Sequence, residues 1–194
     1  METGGIFWAL TGLLLVALIV YFIHIYNRLV SLKHGVSRSW SNIDVLLKQR
    51  HDELPKLVEV CKRYMGYEQE TLERVMNARS RVAQARAGAD LRALGQAETE
   101  LRQGLGGLFA VAEAYPQLKA DATFRHLEER ISALEESIAD RREFYNESVN
   151  LNNVRVEQFP DVLVASRFGF APFDLLEFEE RERADVDLGA LFAG

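Results

Sequence analysis

Residues 6–25 read IFWALTGLLLVALIVYFIHI, twenty consecutive residues with one His and no formal charge. At about 1.5 Å per helical residue, such a run covers roughly 30 Å, the hydrocarbon thickness of a bilayer. The expected span takes in Ile6, Trp8, Leu14, Tyr21 and Ile25. Trp8 near one end, and Tyr21 with Tyr26 near the other, suit interfacial aromatic anchors. A cleaved signal peptide fits poorly, because METGG carries no Lys or Arg and Tyr21–His24 is a poor cleavage site. A buried core helix is the plainer alternative, but a run this long is rarely apolar all round in one. His24 reads as a polar end reaching the interface rather than as a functional group.

The charges give an orientation. The chain has 23 Lys and Arg against 29 Asp and Glu, a net of −6, and every basic residue follows the span. Arg28, Lys33 and Arg38 come soonest, whereas Glu2 is the one charged side chain before it. By the positive-inside rule the N-terminus faces out and the rest of the chain lies in the cytoplasm. A single Cys, Cys61, cannot form an internal disulfide, which agrees with a reducing compartment. With no basic tract in an acidic chain, nucleic acid is not an expected partner.

Beyond Asn27 the apolar spacing is helical almost throughout, and no strand-like alternation competes with it. The first stripe is Leu29, Leu32, Val36, Trp40, Ile43 and Leu47, continuous with the span, with a kink at His34–Gly35 left open. A break is expected around His51–Pro55, where Asp52 can cap and Pro55 suits the first turn of a new helix. The second stripe then runs from Leu57 to Val82 through Cys61, Tyr64, Glu68, Leu72, Val75 and Arg79, and ends at Gly88–Asp90. A third takes Leu91, Leu94, Leu101, Leu105, Leu108 and Ala112, stopping at Tyr115–Pro116. The longest runs from Leu127 to Val156 and closes at Phe159–Pro160. The expected fold is all-α: an N-terminal transmembrane helix followed by a long antiparallel four-helix bundle. Its divisions are 1–26 for the anchor, 27–165 for the bundle and 166–194 for an irregular, charged tail. Arg167–Phe173 is expected to pack irregularly on the bundle, and Leu188, Leu191 and Phe192 are candidate partner anchors in the tail.

Glu68, Arg79 and Arg142 fall on apolar stripes, where charge is costly unless paired. Counting outward from each turn puts Arg79, Glu98, Glu135 and Arg142 at similar heights. This predicts an ion layer of two acids against two bases that fixes helix register; a ligand or metal site is the alternative. Glu113 is expected to receive backbone or Trp40 hydrogen bonds. Tyr145, Asn146, Asn150, Asn152 and Asn153 make the last long helix polar near the membrane. They suit lipid headgroups or a partner helix, or else a solvated face with some interhelical hydrogen bonds.

No reaction chemistry announces itself. None of His24, His34, His51 and His126 has an acid three positions before it, as a di-iron bundle would need. HExxH, CxxC and EF-hand patterns are missing, and no nucleophile motif stands out. Gly104, Gly106 and Gly107 follow no strand and precede no Lys-Ser/Thr, so they read as close helix packing or a kink. Cys61 reads as a small buried hydrophobe. No catalytic residue, cofactor, metal or small-molecule substrate is expected. An enzyme or carrier would need a water-open pocket where Glu135, Arg142 and Arg79 converge.

Several phrases resemble the LemA family of bacterial membrane proteins: Tyr26-Asn27-Arg28-Leu29-Val30, Trp40 through Val45, and Leu47-Lys48-Gln49-Arg50-His51-Asp52. The phrase Ala112-Glu113-Ala114-Tyr115-Pro116-Gln117-Leu118-Lys119-Ala120 is the most specific, and Tyr145-Asn146 and Phe159-Pro160 extend the likeness. The resemblance implies an anchored helical bundle in a bacterial inner membrane, or one derived from it, and no enzymatic activity. It also implies links to magnetosome membranes in some members and to membrane peptidases in others. Leu46, Lys56 and Tyr67 stand where the family usually has Gln, Asn and His, Asn152 where an aromatic is common, and Arg141 where a small residue is. The expected role is a scaffold that contacts lipid and itself, organising or remodelling a membrane. An adaptor for a membrane protease or envelope-stress partner is the alternative.

Overall fold

Helix begins at Glu2 and does not end until Tyr64 in the computed structural model, which describes residues 2–177, the side chains of 2–4 and 6 excepted. This first helix, α1, is followed by α2 (Gln69–Ala87), α3 (Leu91–Ala112), α4 (Pro116–Ala120), α5 (Ala122–Glu157) and α6 (Asp161–Phe168). The described residues contain helix and no strand. The expected tail contacts at Leu188, Leu191 and Phe192 lie outside the described residues, as does the side chain of Ile6.

The break expected at His51–Pro55 does not occur. Pro55 lies inside α1, about two and a half turns before its end at Tyr64. A proline there removes one amide donor and leaves the carbonyl four residues earlier without its helical partner. That carbonyl belongs to His51, and Arg79 Nε on α2 donates to it at 2.9 Å. A side chain thus replaces the lost backbone bond and the helix runs on. The real turn falls at Met65–Glu68, within the stretch expected to be continuous. It is tied by Tyr64 Oη donating to Asp121 at 2.9 Å and Tyr115 Oη donating to Glu68 at 3.2 Å. Glu68 therefore stands at the mouth of α2 rather than on an apolar stripe. The remaining stops agree with the sequence: Asp90 caps α3 by accepting from Ala93 N–H at 2.9 Å, and Pro116 opens α4.

The chain divides into two compact units. The first comprises residues 2–41 and 143–174. Its N-terminal helix is long and apolar enough to cross a membrane, with mean hydropathy 2.3 over the best window. Trp8, Leu14 and Tyr21 are all exposed, which suits lipid and not water. The Thr11 hydroxyl in this run donates to Phe7 O at 2.9 Å and so needs no solvent. Ile25, by contrast, is buried with Leu29, Val156, Val164 and Ala165, and Phe170 packs against them. α6 thus seats on the end of the expected span, a helix the sequence reading had not anticipated after Pro160.

The second unit comprises residues 42–142 with 175–177. Its ion pairs and hydrogen bonds record the helix directions. Asp44 meets Arg86 and His51 meets Arg79, so α1 and α2 run antiparallel. Arg81 meets Glu100 and Glu68 meets Tyr115, which sets α2 against α3 in the same sense. Glu53 meets Arg130 and Tyr64 meets Asp121 between α1 and α5. Asp121 also accepts from the Thr123 and Phe124 amides at the start of α5.

The glycine-rich stretch of α3 is uneven. Gly104 is buried, and a Cβ there would meet Val75 Cγ2 at 3.5 Å, an ordinary contact. Gly106 and Gly107 face open space, so nothing in the structure requires glycine at either. Gly106→Ala and Gly107→Ala should each raise stability by about 1 kcal/mol, the propensity gain in an exposed helix interior. Thermal unfolding followed by circular dichroism checks this; a loss would mean that a further surface packs on α3.

Candidate functional site

The unbroken α1 carries Ile43, Leu47, Arg50, Leu54, Leu57 and Cys61 on one buried stripe at steps of three and four. Arg50 therefore points inward, with only 1% of its surface exposed. Both Nη groups are used. Nη2 donates to both carboxylate oxygens of Glu98 on α3 at 2.6 Å, and Nη1 donates to Glu135 on α5. Arg102 approaches Glu135 from the outside at 3.6 Å. Three helices are thus joined through one guanidinium, whose planar fork suits two carboxylates at once.

The electrostatics follow from burial. Burial alone would weaken Arg50's hold on its proton, but Glu98 and Glu135 overcome this and raise its pKa. Glu98 is pushed up, first by burial and then by Glu135, with Arg50 opposing. Arg50 Nε makes no hydrogen bond among the described residues.

Of the four residues expected to form an ion layer, Glu98 and Glu135 come together, and the cation they share is Arg50. Arg79 is half-buried and serves the His51 carbonyl; Arg142 is half-buried on α5, two turns beyond Glu135. Arg50 lies beyond the expected end of the first stripe at Leu47, in the stretch where a break is expected and α1 runs on. The Glu113 carboxylate pairs with Lys119. Trp40 packs edge-on against Tyr145, with ring centroids 5.7 Å apart.

The polar face of α5 holds the chain's own return segment. Asn153 donates to Phe173 O and accepts from Phe173 N–H, both at 2.9 Å. Asn152 donates to Ala171 O at 3.3 Å, and Tyr145 Oη to Asp174 O at 3.0 Å. These side chains act as a clamp on an extended strip.

Two clefts of about 430 and 380 Å³ open on the second unit. Glu53, Lys56, His126 and Arg130 are among the residues lining the larger, where Glu53 is already paired with Lys56 at 2.9 Å and Arg130 at 3.0 Å. Met65, Gln69 and Met76 are among those lining the smaller. Glu135, Arg142 and Arg79 line neither. Among the described residues no group of three His, Cys, Asp or Glu could hold a metal. Burial pushes the Cys61 thiol up to about 12, where it is inert at neutral pH.

A sequence profile of the LemA family matches residues 39–188, most of the chain. The chain belongs to the LemA family. Among its relatives is magnetosome protein MamQ 2 of Paramagnetospirillum magneticum, 23% identical over 89% of this chain and 71% of the relative. Magnetosome protein MamQ of Magnetospirillum gryphiswaldense is 23% identical over 93% and 74%. Protein LemA of Metamycoplasma hominis is 25% identical over 89% and 79%. Two positions where this LemA-family chain departs from the expected pattern have clear surroundings. Asn152 is buried in the clamp on the return segment, whereas Tyr67 is fully exposed at the α1–α2 turn.

Proposed function

We propose that this protein is a membrane-anchored, non-enzymatic helical scaffold that associates with copies of itself through α5 and so gathers anchors into one patch of membrane. The observation that carries this reading is the outer face of α5. Phe144, Leu151 and Val154 are 56%, 52% and 52% exposed, and their spacing of seven and three places them on one side of the helix. The opposite side buries Tyr145, Val149 and Val156. The Ser39–Ser148 hydrogen bond, 2.9 Å, sets α5 beside α1 so that Leu151 lies level with about Val36. That is about 16 Å beyond Ile25, clear of the hydrocarbon, so lipid is not what covers this stripe. A second helix of the same kind fits it, as in a coiled-coil seam.

Self-association next to an anchor multiplies weak contacts, since each added anchor is held at high local concentration. The basic residues that follow the span support a cytoplasmic location for the rest of the chain. The likeness to proteins named for the magnetosome supports a bacterial membrane as the site of action.

Mass determination of the detergent-extracted full chain tests the reading. The expected result is a defined oligomer that Leu151→Glu with Val154→Glu converts to a monomer of unchanged helix content. A monomeric wild type, or an oligomer indifferent to the double substitution, would overturn it.

A further inference from the structure

The region after α5 returns to the end of the expected span. Val164 and Ala165 of α6 are buried with Ile25 and Leu29. Phe168 stacks against Tyr26 and Phe22 with ring centroids 5.0 and 5.9 Å apart, and Phe170 against Tyr26 at 5.6 Å. These contacts fix the height of α6: it sits level with the last turn of the apolar run. Its outward side exposes Leu163, 61%, with Arg167 four residues on, and Phe159 in the turn before it is 76% exposed.

We propose that Phe159 and α6 form a second membrane contact, lying in the interfacial layer of the leaflet at the C-terminal end of the span. Phe159, Leu163 and Phe168 enter the boundary between headgroups and acyl chains, and the exposed Arg167 and Arg28 meet headgroup phosphates. Three observations favour lipid over a protein partner. The face is continuous with the span through the Phe168–Phe22 contact, and Phe22 is itself exposed on the span. The aromatics gather at the level where interfacial belts form. The one acid at the start of α6, Asp161, is turned inward and paired with Arg155 at 2.8 Å, which keeps its charge away from the lipid-facing side. Amphipathic helices in this layer sink about 5–10 Å, a depth that whole aromatic side chains can reach. The proposal rests on reading residues 6–25 as a span.

Spin labels on the full chain, in vesicles of phosphatidylethanolamine and phosphatidylglycerol, test it. In a Cys61→Ala background, labels are placed by Leu163→Cys and separately by Phe159→Cys. Leu14→Cys marks the span and Tyr67→Cys marks water. Accessibility to oxygen relative to a water-soluble nickel chelate should be several-fold higher at 159 and 163 than at 67, approaching the value at 14. Values at 159 and 163 equal to that at 67, with 14 still lipid-like, overturn the interfacial contact and leave the span standing. A water-like value at 14 overturns the span itself. Spin–spin broadening at 163 that disappears on dilution with unlabelled protein would assign the face to a second copy instead, and also overturns the proposal.

Discussion

Arg50→Met will lower the unfolding free energy by about 3–5 kcal/mol, the usual loss when one partner of a buried ion pair is removed. The reason lies less in the lost attraction than in what is left behind. Glu98 is almost wholly buried, and its two oxygens both accept from Arg50. Without the guanidinium, those acceptors and the facing Glu135 carboxylate remain in a low-dielectric site with Arg102 only at the rim. Replacing all three, as Arg50→Met with Glu98→Leu and Glu135→Leu, should recover most of the loss, because well-packed apolar residues often match a buried ion cluster in stability. Thermal and denaturant unfolding in detergent, followed by circular dichroism, measures both. A loss below about 1 kcal/mol for Arg50→Met would mean that the cluster behaves as an exposed pair.

The same substitution should be pH-dependent in a defined sense. In the wild type Glu98 already stands above the usual carboxylate range, through burial first and Glu135 second, held back by Arg50. An acid whose folded pKa is raised gives stability that is full at low pH and is lost as pH rises through the folded value. Removing Arg50 removes the opposing influence, so Glu98 moves further up. The deficit of Arg50→Met is therefore largest at neutral pH and shrinks as pH falls toward about 4, where the unfolded acid also takes up its proton. A deficit independent of pH would count against charge burial as its cause.

What could be read in the sequence followed from period and composition. The apolar run, the stops at Gly88–Asp90, Tyr115–Pro116 and Phe159–Pro160, and the all-α class are local signals, and each has a local cause in caps or prolines. The one misplaced boundary came from a rule that is local where the answer was not. Pro55 with Asp52 before it is a good helix start, yet the stripe from Ile43 through Arg50 to Cys61 passes it without losing phase. Weighing that phase over the proline would have kept α1 whole and put Arg50 on the buried face beside Glu98, which lies in phase with Leu94 and Leu101. The short helix α6 and the Asn152–Asn153 clamp were less accessible. Both depend on residues far apart in sequence, and the polar face of α5 gave no sign that its partner was the chain's own backbone.

Arg79→Met is expected to cost about 1.5–3 kcal/mol, the worth of a hydrogen bond to a charged group that satisfies a polar atom. Its target is the His51 carbonyl, which Pro55 deprives of a helical donor. The two residues are therefore coupled. In a Pro55→Ala background the amide of residue 55 can close the normal bond to His51 O, and the carbonyl no longer depends on Arg79. Pro55→Ala alone should not destabilise α1, since alanine is the far better helix former. The same Arg79→Met change made in that background should cost about 1 kcal/mol less or better, a coupling within the range seen for residues sharing one partner. The four proteins of this cycle are compared by unfolding in detergent. Strict additivity would show that Arg79 stabilises α2 against α1 by packing alone. Coupling would show that a proline inside a 63-residue helix is tolerated because a neighbouring helix supplies the missing donor. It would also mean that the Pro55–Arg79 pair selects the register of α2 on α1, since a shift by one turn of either helix leaves that carbonyl without its bond.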